Sequence, residues 1–293
     1  MECMWVVARK KLTGTCALIT GASEGLGAVI AYRFVADGAS VVISARTHET
    51  LETVRQSLLP MCVADQKVIA LPCDVSRTND VDALIRATVS KLSKLDIVVN
   101  NASIFGPMGG LENIPWQGLV DTLNVNLLGT VYTCRSAIPY LKKSPRGKII
   151  NISGGGAARA LPSLCSYAVS KAAVIRFTEE LAEELRPMHV DVNVIAPGPL
   201  NTRFVDQALA AGPEQLGPAL YEEILKIRKT GGTPFNLGAN LCAYLASRES
   251  DGVTGKLISA RYDDWSTLHE RVSELDSTNI YTMRRIDPST VKK

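Results

Sequence analysis

Tyr167 and Lys171 form a Y-x-x-x-K pair inside a stretch with helical patterning. Positions i and i+4 share one face of a helix, so the ammonium can lie beside the phenol. That spacing has a chemical use. A free phenol titrates near pH ~10, too high for an acid/base at neutrality, and a cation within reach lowers it by roughly 1–3 units. Such a pair also occurs as an ordinary solvated contact on a helix, so its meaning rests on what surrounds it.

Two further groups supply that context. The run Thr20-Gly21-Ala22-Ser23-Glu24-Gly25-Leu26-Gly27 follows an apolar stretch and leads straight into a helical pattern. Glycines at a strand-to-helix turn let backbone amides and a helix N-terminus approach a diphosphate, although a tight turn also takes glycine for steric reasons alone. The next strand-like run ends Ile43-Ser44-Ala45-Arg46-Thr47. An acidic residue here would accept from the free 2′-hydroxyl of NAD, whereas an arginine suits the 2′-phosphate of NADP. With the acid absent and Arg46 present, NADP is favoured over NAD. The bland alternative is an arginine solvated at a strand end.

These residues need a scaffold, and the chain has one. Short β-branched runs at Cys16–Thr20, Ser40–Ser44, Lys67–Leu71, Leu95–Val99, Gly147–Ile152, Val190–Ile195 and Lys256–Ser259 alternate with helical stretches. The runs are apolar on both faces, as strands buried between two helix layers are. The clearest helix carries Val81, Leu84, Ile85, Val89 and Leu92 on one stripe, with Ser76 as its expected N-cap. The pattern predicts an α/β fold, a doubly wound seven-stranded parallel sheet of the Rossmann type. Residues 199–233, rich in Gly, Pro and Ala, break the rhythm and are expected to cover a cleft.

Taken in order, these motifs resemble the short-chain dehydrogenase/reductase family over about residues 12–259. The glycine run matches the family's T-G-x-x-x-G-x-G, which places Gly21, Ser23, Glu24, Gly25, Leu26 and Gly27 at the cofactor. Asp74-Val75 matches the aspartate after the third strand, which the resemblance assigns to the adenine. Asn101 and Ala102 lie in a match to N-N-A-G, with Ser103 where glycine is usual. Asn126 matches the helix asparagine that supports a proton relay through a water. Tyr167 and Lys171 match the catalytic pair. Pro197, Gly198, Leu200 and Thr202 lie in a match to P-G-x-x-x-T, whose threonine meets the nicotinamide carboxamide. The resemblance implies an NADP(H)-dependent oxidoreductase interconverting a small-molecule carbonyl and a secondary alcohol, and a homo-oligomer, dimer or tetramer.

Two departures stand out. The family's catalytic serine precedes the tyrosine by 13 residues, and that position is Gly154, in Asn151-Ile152-Ser153-Gly154-Gly155-Gly156. Ser153 is one residue early and on an extended strand faces away from Tyr167, unless the glycines bend it or a main-chain N–H into the site. Loss of one polarising donor costs roughly 10²–10³ in rate at a comparable oxyanion site. A catalytically impaired nucleotide-binding module therefore stands as an alternative, as does an enzyme that keeps its cofactor bound through an epimerisation or dehydration. The second departure is a polar C-terminal extension, residues 261–293, in place of the short ending common in the family. Its Trp265 and Tyr281 could anchor it on its own domain, on a partner subunit or over the site.

Composition excludes other classes. The chain has 293 residues, 46% apolar and 21% charged, with a net charge of +3 too small and too dispersed for nucleic-acid binding. Seven cysteines without a C-x-x-C pair fit a reduced cytoplasmic protein better than a disulfide or zinc framework. Cys165 reads as a packing residue, the three scattered histidines carry no metal spacing, and Asp263-Asp264 near Glu270 reads as a solvated turn. No run approaches the ~18 apolar residues of a membrane span. Residues 1–11 read as an N-terminal extension without the features of a signal peptide, and 12–260 as one NAD(P)-binding catalytic domain.

Overall fold

The β-branched runs become β1 (Cys16–Thr20), β2 (Ser40–Ala45), β3 (Val68–Pro72), β4 (Ile97–Asn100), β5 (Gly147–Ile152), β6 (Val190–Ala196) and β7 (Leu257–Ser259). This is a computed structural model that describes residues 10–63 and 65–286. Most of the expected N-terminal extension, 1–11, thus lies outside the described residues. The strands form one parallel sheet in the order β3-β2-β1-β4-β5-β6-β7. The order reverses between β1 and β4, and the crevice at the carboxyl ends of those strands is where such sheets take ligands.

Ten α-helices are described. α1 (Gly25–Ala36), α2 (His48–Leu58), α3 (Thr78–Leu92), α4 (Trp116–Leu123) and α5 (Gly129–Leu141) come first. α6 (Cys165–Leu185), α7 (Arg203–Leu216), α8 (Pro218–Thr230), α9 (Phe235–Ala246) and α10 (Val272–Ser277) follow. Alternation along the strands builds two cores. Ile19, Ile43 and Val99 face the layer of α1, α2 and α9, while Leu18, Val42 and Val98 face α3, α5 and α6. The predicted stripe on α3 packs into the second core, but Ser76 does not cap that helix. α3 begins at Thr78, and the Ser76 hydroxyl donates to Asp74 Oδ1 at 2.7 Å instead, because a serine two residues after an aspartate can close that turn locally.

The long helical stretch near residues 115–142 is interrupted. Between α4 and α5 the chain makes a π-helical turn, Asn124–Leu128. The 199–233 segment forms α7 and α8, with a break at Gly212 inside α7. A β-bridge between Leu200 and Gly232 holds the two ends of that excursion together.

The C-terminal extension folds back on its own domain. Trp265 packs on Tyr244 of α9 with ring centroids 5.7 Å apart, and Leu268 and Leu275 are buried in the first core. The Tyr281 carbonyl accepts from the β7 amide of Leu257 at 2.7 Å, so the tail runs along the outer edge of the sheet. Near its last described residues it lies against α6, where the Met283 amide and Arg284 Nη1 both donate to the buried carboxylate of Glu179, at 2.6 and 2.9 Å.

Candidate active site

The glycine turn is held by the loop after β4. Gly21 has φ +63°, and a Cβ there would lie 2.7 Å from Ala102 Cα, so both conformation and space require glycine. Asn101 Nδ2 donates to the carbonyls of Thr20 and Gly21 at 3.0 and 2.9 Å. The amides of Asn101 and Ala102 donate to Thr20 Oγ1, both at 3.1 Å. α1 then starts on Gly25 with no side-chain cap, so its first amides are left for another partner.

A continuous cleft of about 640 Å³ runs from this turn across the carboxyl ends of the strands. All of the residues expected at the dinucleotide line it except Gly27, which sits one turn inside α1 against the Gly21 carbonyl. At one end Ser44 Oγ is buried without a hydrogen-bond partner, beside the exposed Arg46. Burial pushes the Asp74 carboxyl up, but two hydrogen bonds from Ser76 and the charges of Arg46 and Arg77 hold it below the usual carboxylate range. Arg77, absent from the sequence reading, thus adds a second cation at this end. An uncapped helix N-terminus, an orphaned buried hydroxyl and a cationic end fit a phosphorylated dinucleotide.

α6 delivers Tyr167 and Lys171 to the opposite wall. Lys171 is 2% exposed, and its Nζ donates to the Ile152 carbonyl at 2.9 Å and lies 5.8 Å from the Tyr167 ring centroid. Burial lowers its ammonium to about 8. Burial also pushes the Tyr167 phenol up, contrary to the lowering expected from a neighbouring cation. The reason is desolvation, which penalises the phenolate more than an ammonium already committed to a carbonyl relieves it. The Tyr167 hydroxyl, by contrast, has no partner among the described residues.

Asn126 does not line the cleft. It is fully buried in the π-turn, accepts from the Ile104 amide at 2.8 Å, and donates to the Ile104 carbonyl and Ser170 Oγ at 2.9 and 3.0 Å. Ser170 in turn donates to the Tyr167 carbonyl at 2.7 Å. The asparagine therefore braces the wall behind the tyrosine. Ser170, three residues after Tyr167 on the same helix face, was findable by helical spacing.

The glycine position is the most distinctive part of the wall. A Cβ at Gly154 would fall well inside contact of the Tyr167 hydroxyl, 3.0 Å from Cζ and 3.2 Å from Cε1. The phenol occupies the space that a side chain at 154 would need. Ser153 is buried, its hydroxyl has no partner, and it is not bonded to Tyr167. On its other side Tyr167 meets two rings. Phe105 stands edge-on at 4.9 Å, and Phe204 at 6.1 Å, the two phenylalanines being stacked on each other at 5.1 Å. Neither was singled out from sequence, because they come together only when α7 folds over the cleft.

The comparisons with known proteins agree with this geometry. The model of the short chain dehydrogenase family matches residues 15–211. L-fucose dehydrogenase of Oryctolagus cuniculus is 36% identical over 241 residues, 82% of this chain and 81% of that protein. 3beta-hydroxysteroid dehydrogenase 1 of Eggerthella lenta is 36% identical over 252 residues, 83% of this chain and 91% of that protein. Among solved structures, levodione reductase superposes with a TM-score of 0.77 at 25% identity, covering 88% of this chain and 99% of its own. The chain belongs to the short-chain dehydrogenase/reductase family, oxidoreductases that use NAD(P).

Two outcomes follow from the packing. Gly154→Ala is expected to cost about 1–3 kcal/mol in urea unfolding by overpacking against Tyr167. Gly155→Ala, whose Cβ would meet nothing nearer than 3.8 Å, is expected to stay within about 0.5 kcal/mol of the unmodified protein. The lysine makes a pH-dependent prediction. A folded-state value of about 8, below the unfolded 10.5, means that the cost of burying the charge is complete below pH 8 and fades as pH rises to 10.5. Lys171→Met without ligands is therefore expected to be more stable at pH 7, on the order of 1–3 kcal/mol, with the gain shrinking toward pH ~10.

Proposed function

We propose that the protein is an NADP(H)-dependent oxidoreductase that interconverts a carbonyl and a secondary alcohol, with Tyr167 as the acid/base. The observation that carries this reading is the Tyr167 hydroxyl, which lies in the cleft without a protein partner while Lys171 stands beside its ring. A bound nicotinamide dinucleotide supplies the hydride chemistry; the protein's task is to place the substrate and move one proton. Tyr167 donates that proton to the substrate oxygen on reduction and takes it back on oxidation. Lys171, charged at neutrality, favours the phenolate through its charge beside the ring, against the cost of burial, and its ammonium would also serve the nicotinamide ribose. Asn126 is a positioning residue, bracing Tyr167 through Ser170 and framing the wall from which a relay water would be held. Ser153 stays assigned to no step.

At the adenine end, Gly21, Ser23, Glu24, Gly25 and Leu26 would hold the diphosphate, with Gly27 letting α1 approach the Gly21 carbonyl, Asp74 and Val75 would hold the adenine, and Asn101 and Ala102 the intervening ribose. Pro197, Gly198, Leu200 and Thr202 would border the carboxamide. Arg46, helped by Arg77, would take the 2′-phosphate. The names of the relatives, dehydrogenases and a reductase, support the class of reaction.

Assembly as a homo-oligomer is supported by Leu128 and Val169, which are 54% and 53% exposed on neighbouring elements away from the cleft. A cytoplasmic setting accords with six described cysteines that are all free. No helix among the described residues is long and apolar enough to cross a membrane.

Gly154 favours one second reading, a binding module that holds the dinucleotide without turning it over. Tyr167→Phe separates the two. NADPH oxidation followed at 340 nm with a ketone substrate is expected to fall roughly 10²–10⁴-fold, with NADPH affinity unchanged. Equal turnover by the variant would sink the acid/base assignment, and tight NADPH binding with no turnover by either protein would favour the binding module. Arg46→Ala is expected to weaken NADPH roughly 10–100-fold and leave NADH unaffected, as judged by titration calorimetry.

A further inference from the structure

We propose that the substrate is an uncharged, predominantly apolar carbonyl compound or alcohol, carrying a hydrocarbon ring or chain rather than a row of hydroxyls or a carboxylate. This rests on the oxidoreductase reading above and adds the chemical class. The space beyond Tyr167 is walled by Phe105, Leu161 and Leu164 on the sheet side and by Phe204, Leu220 and Ile224 from α7 and α8. These belong to one cluster of packed hydrophobic side chains that also holds Tyr167. Removal of apolar surface from water is the main gain such a wall offers a ligand.

The charges around the mouth point the same way, because they are matched among themselves. Arg159 pairs with Glu223 at 3.0 Å, Arg203 with Glu24 at 3.0 Å, and Arg228 with Asp206. Lys171 is committed to the Ile152 carbonyl, and Arg46 lies at the far, adenine end of the cleft. A carboxylate or phosphate on the substrate would have to share an arginine that already faces a carboxylate, whose negative charge opposes it. The polar side chains at this end are few, and Ser153 Oγ is the one buried there without a partner. Thr202 Oγ1 accepts from the Phe204 amide at 3.2 Å, and Asn201 Oδ1 accepts from Arg228 at 3.4 Å. A polyol would lose water from several hydroxyls against a wall that returns few hydrogen bonds, whereas a ketone needs one donor, the Tyr167 hydroxyl. The stacked pair Phe105–Phe204, inclined by only 6° to each other, adds two aromatic rings to the wall beside the Tyr167 ring.

The test uses NADPH-loaded protein and a series of cyclohexanone with 4-methyl, 4-ethyl and 4-propyl substituents, against a ketohexose and a 2-oxo acid. Affinity is measured by titration calorimetry, and kcat/KM separately by NADPH consumption. Affinity is expected to rise roughly two- to fourfold per added methylene until the wall is filled. The ketohexose and the oxo acid are expected to bind far more weakly. Phe204→Ser and Ile224→Ser, each checked for an unchanged fold by circular dichroism, are expected to flatten the methylene series. A flat series in the unmodified protein, binding of none of the ketones, or tighter binding of the sugar or oxo acid overturns the proposal. A rising affinity series without NADPH consumption keeps the apolar class and sinks the oxidoreductase reading. Consumption with the ketohexose or oxo acid alone does the reverse.

Discussion

One buried ammonium ties α6 to the sheet. Lys171 Nζ, held by the carbonyl of the last residue of β5, joins α6 to the strand whose end forms the floor of the cleft. An isolated charge in such a place is unfavourable, and its depressed affinity for a proton records that cost. The surrounding architecture is arranged so that the charge is retained. β5 is an inner strand, α6 packs mainly against its neighbour β6, and the π-turn and Ser170 fix the first turns of α6 from behind. A helix that slid by one residue would lose the lysine's acceptor, the Ile152 carbonyl, so this contact fixes the register of Tyr167 as well.

The glycine turn and the tyrosine wall are joined by the loop after β4. Asn101 locks its start onto Thr20 and Gly21, and the Ile104 backbone binds Asn126 three residues later. One short segment therefore sets the distance between the diphosphate end of the cleft and the phenol. The π-helical turn is the local adjustment that brings Asn126 to face that segment, in keeping with the tendency of such bulges to occur at functional sites.

Much of this was legible in the chain. The strands fell within two residues of their expected limits, because β-branched runs apolar on both faces have few other places in a folded protein. Tyr167 and Lys171 share a helix face as their spacing requires. Ser76 went elsewhere because a local turn competed with the cap, and the π-turn left no periodic signal. The significance of Gly154 was half visible: the missing hydroxyl could be counted, but not the phenol that fills its space. Phe105 and Phe204 are 99 residues apart, and nothing local marks them as partners. Likewise the tail could be recognised as surplus, while its path along β7 depends on a bond between Leu257 and Tyr281 that no pattern announces.

The bridge between Leu200 and Gly232 has a consequence beyond holding a cover in place. With its two ends pinned together, lengthening the α7–α8 excursion costs the fold only about 0.6 kcal/mol per doubling in loop-closure entropy. Its outer side can therefore change in length and composition, provided Phe204, Val205 and Ile224 still pack on the Tyr167 cluster. The cover of the cleft is thus tied to the fold by one bridge and an apolar cluster, and the glycine end of the cleft by the hydrogen bonds of Asn101 and Thr20, so a change in one leaves the contacts of the other in place.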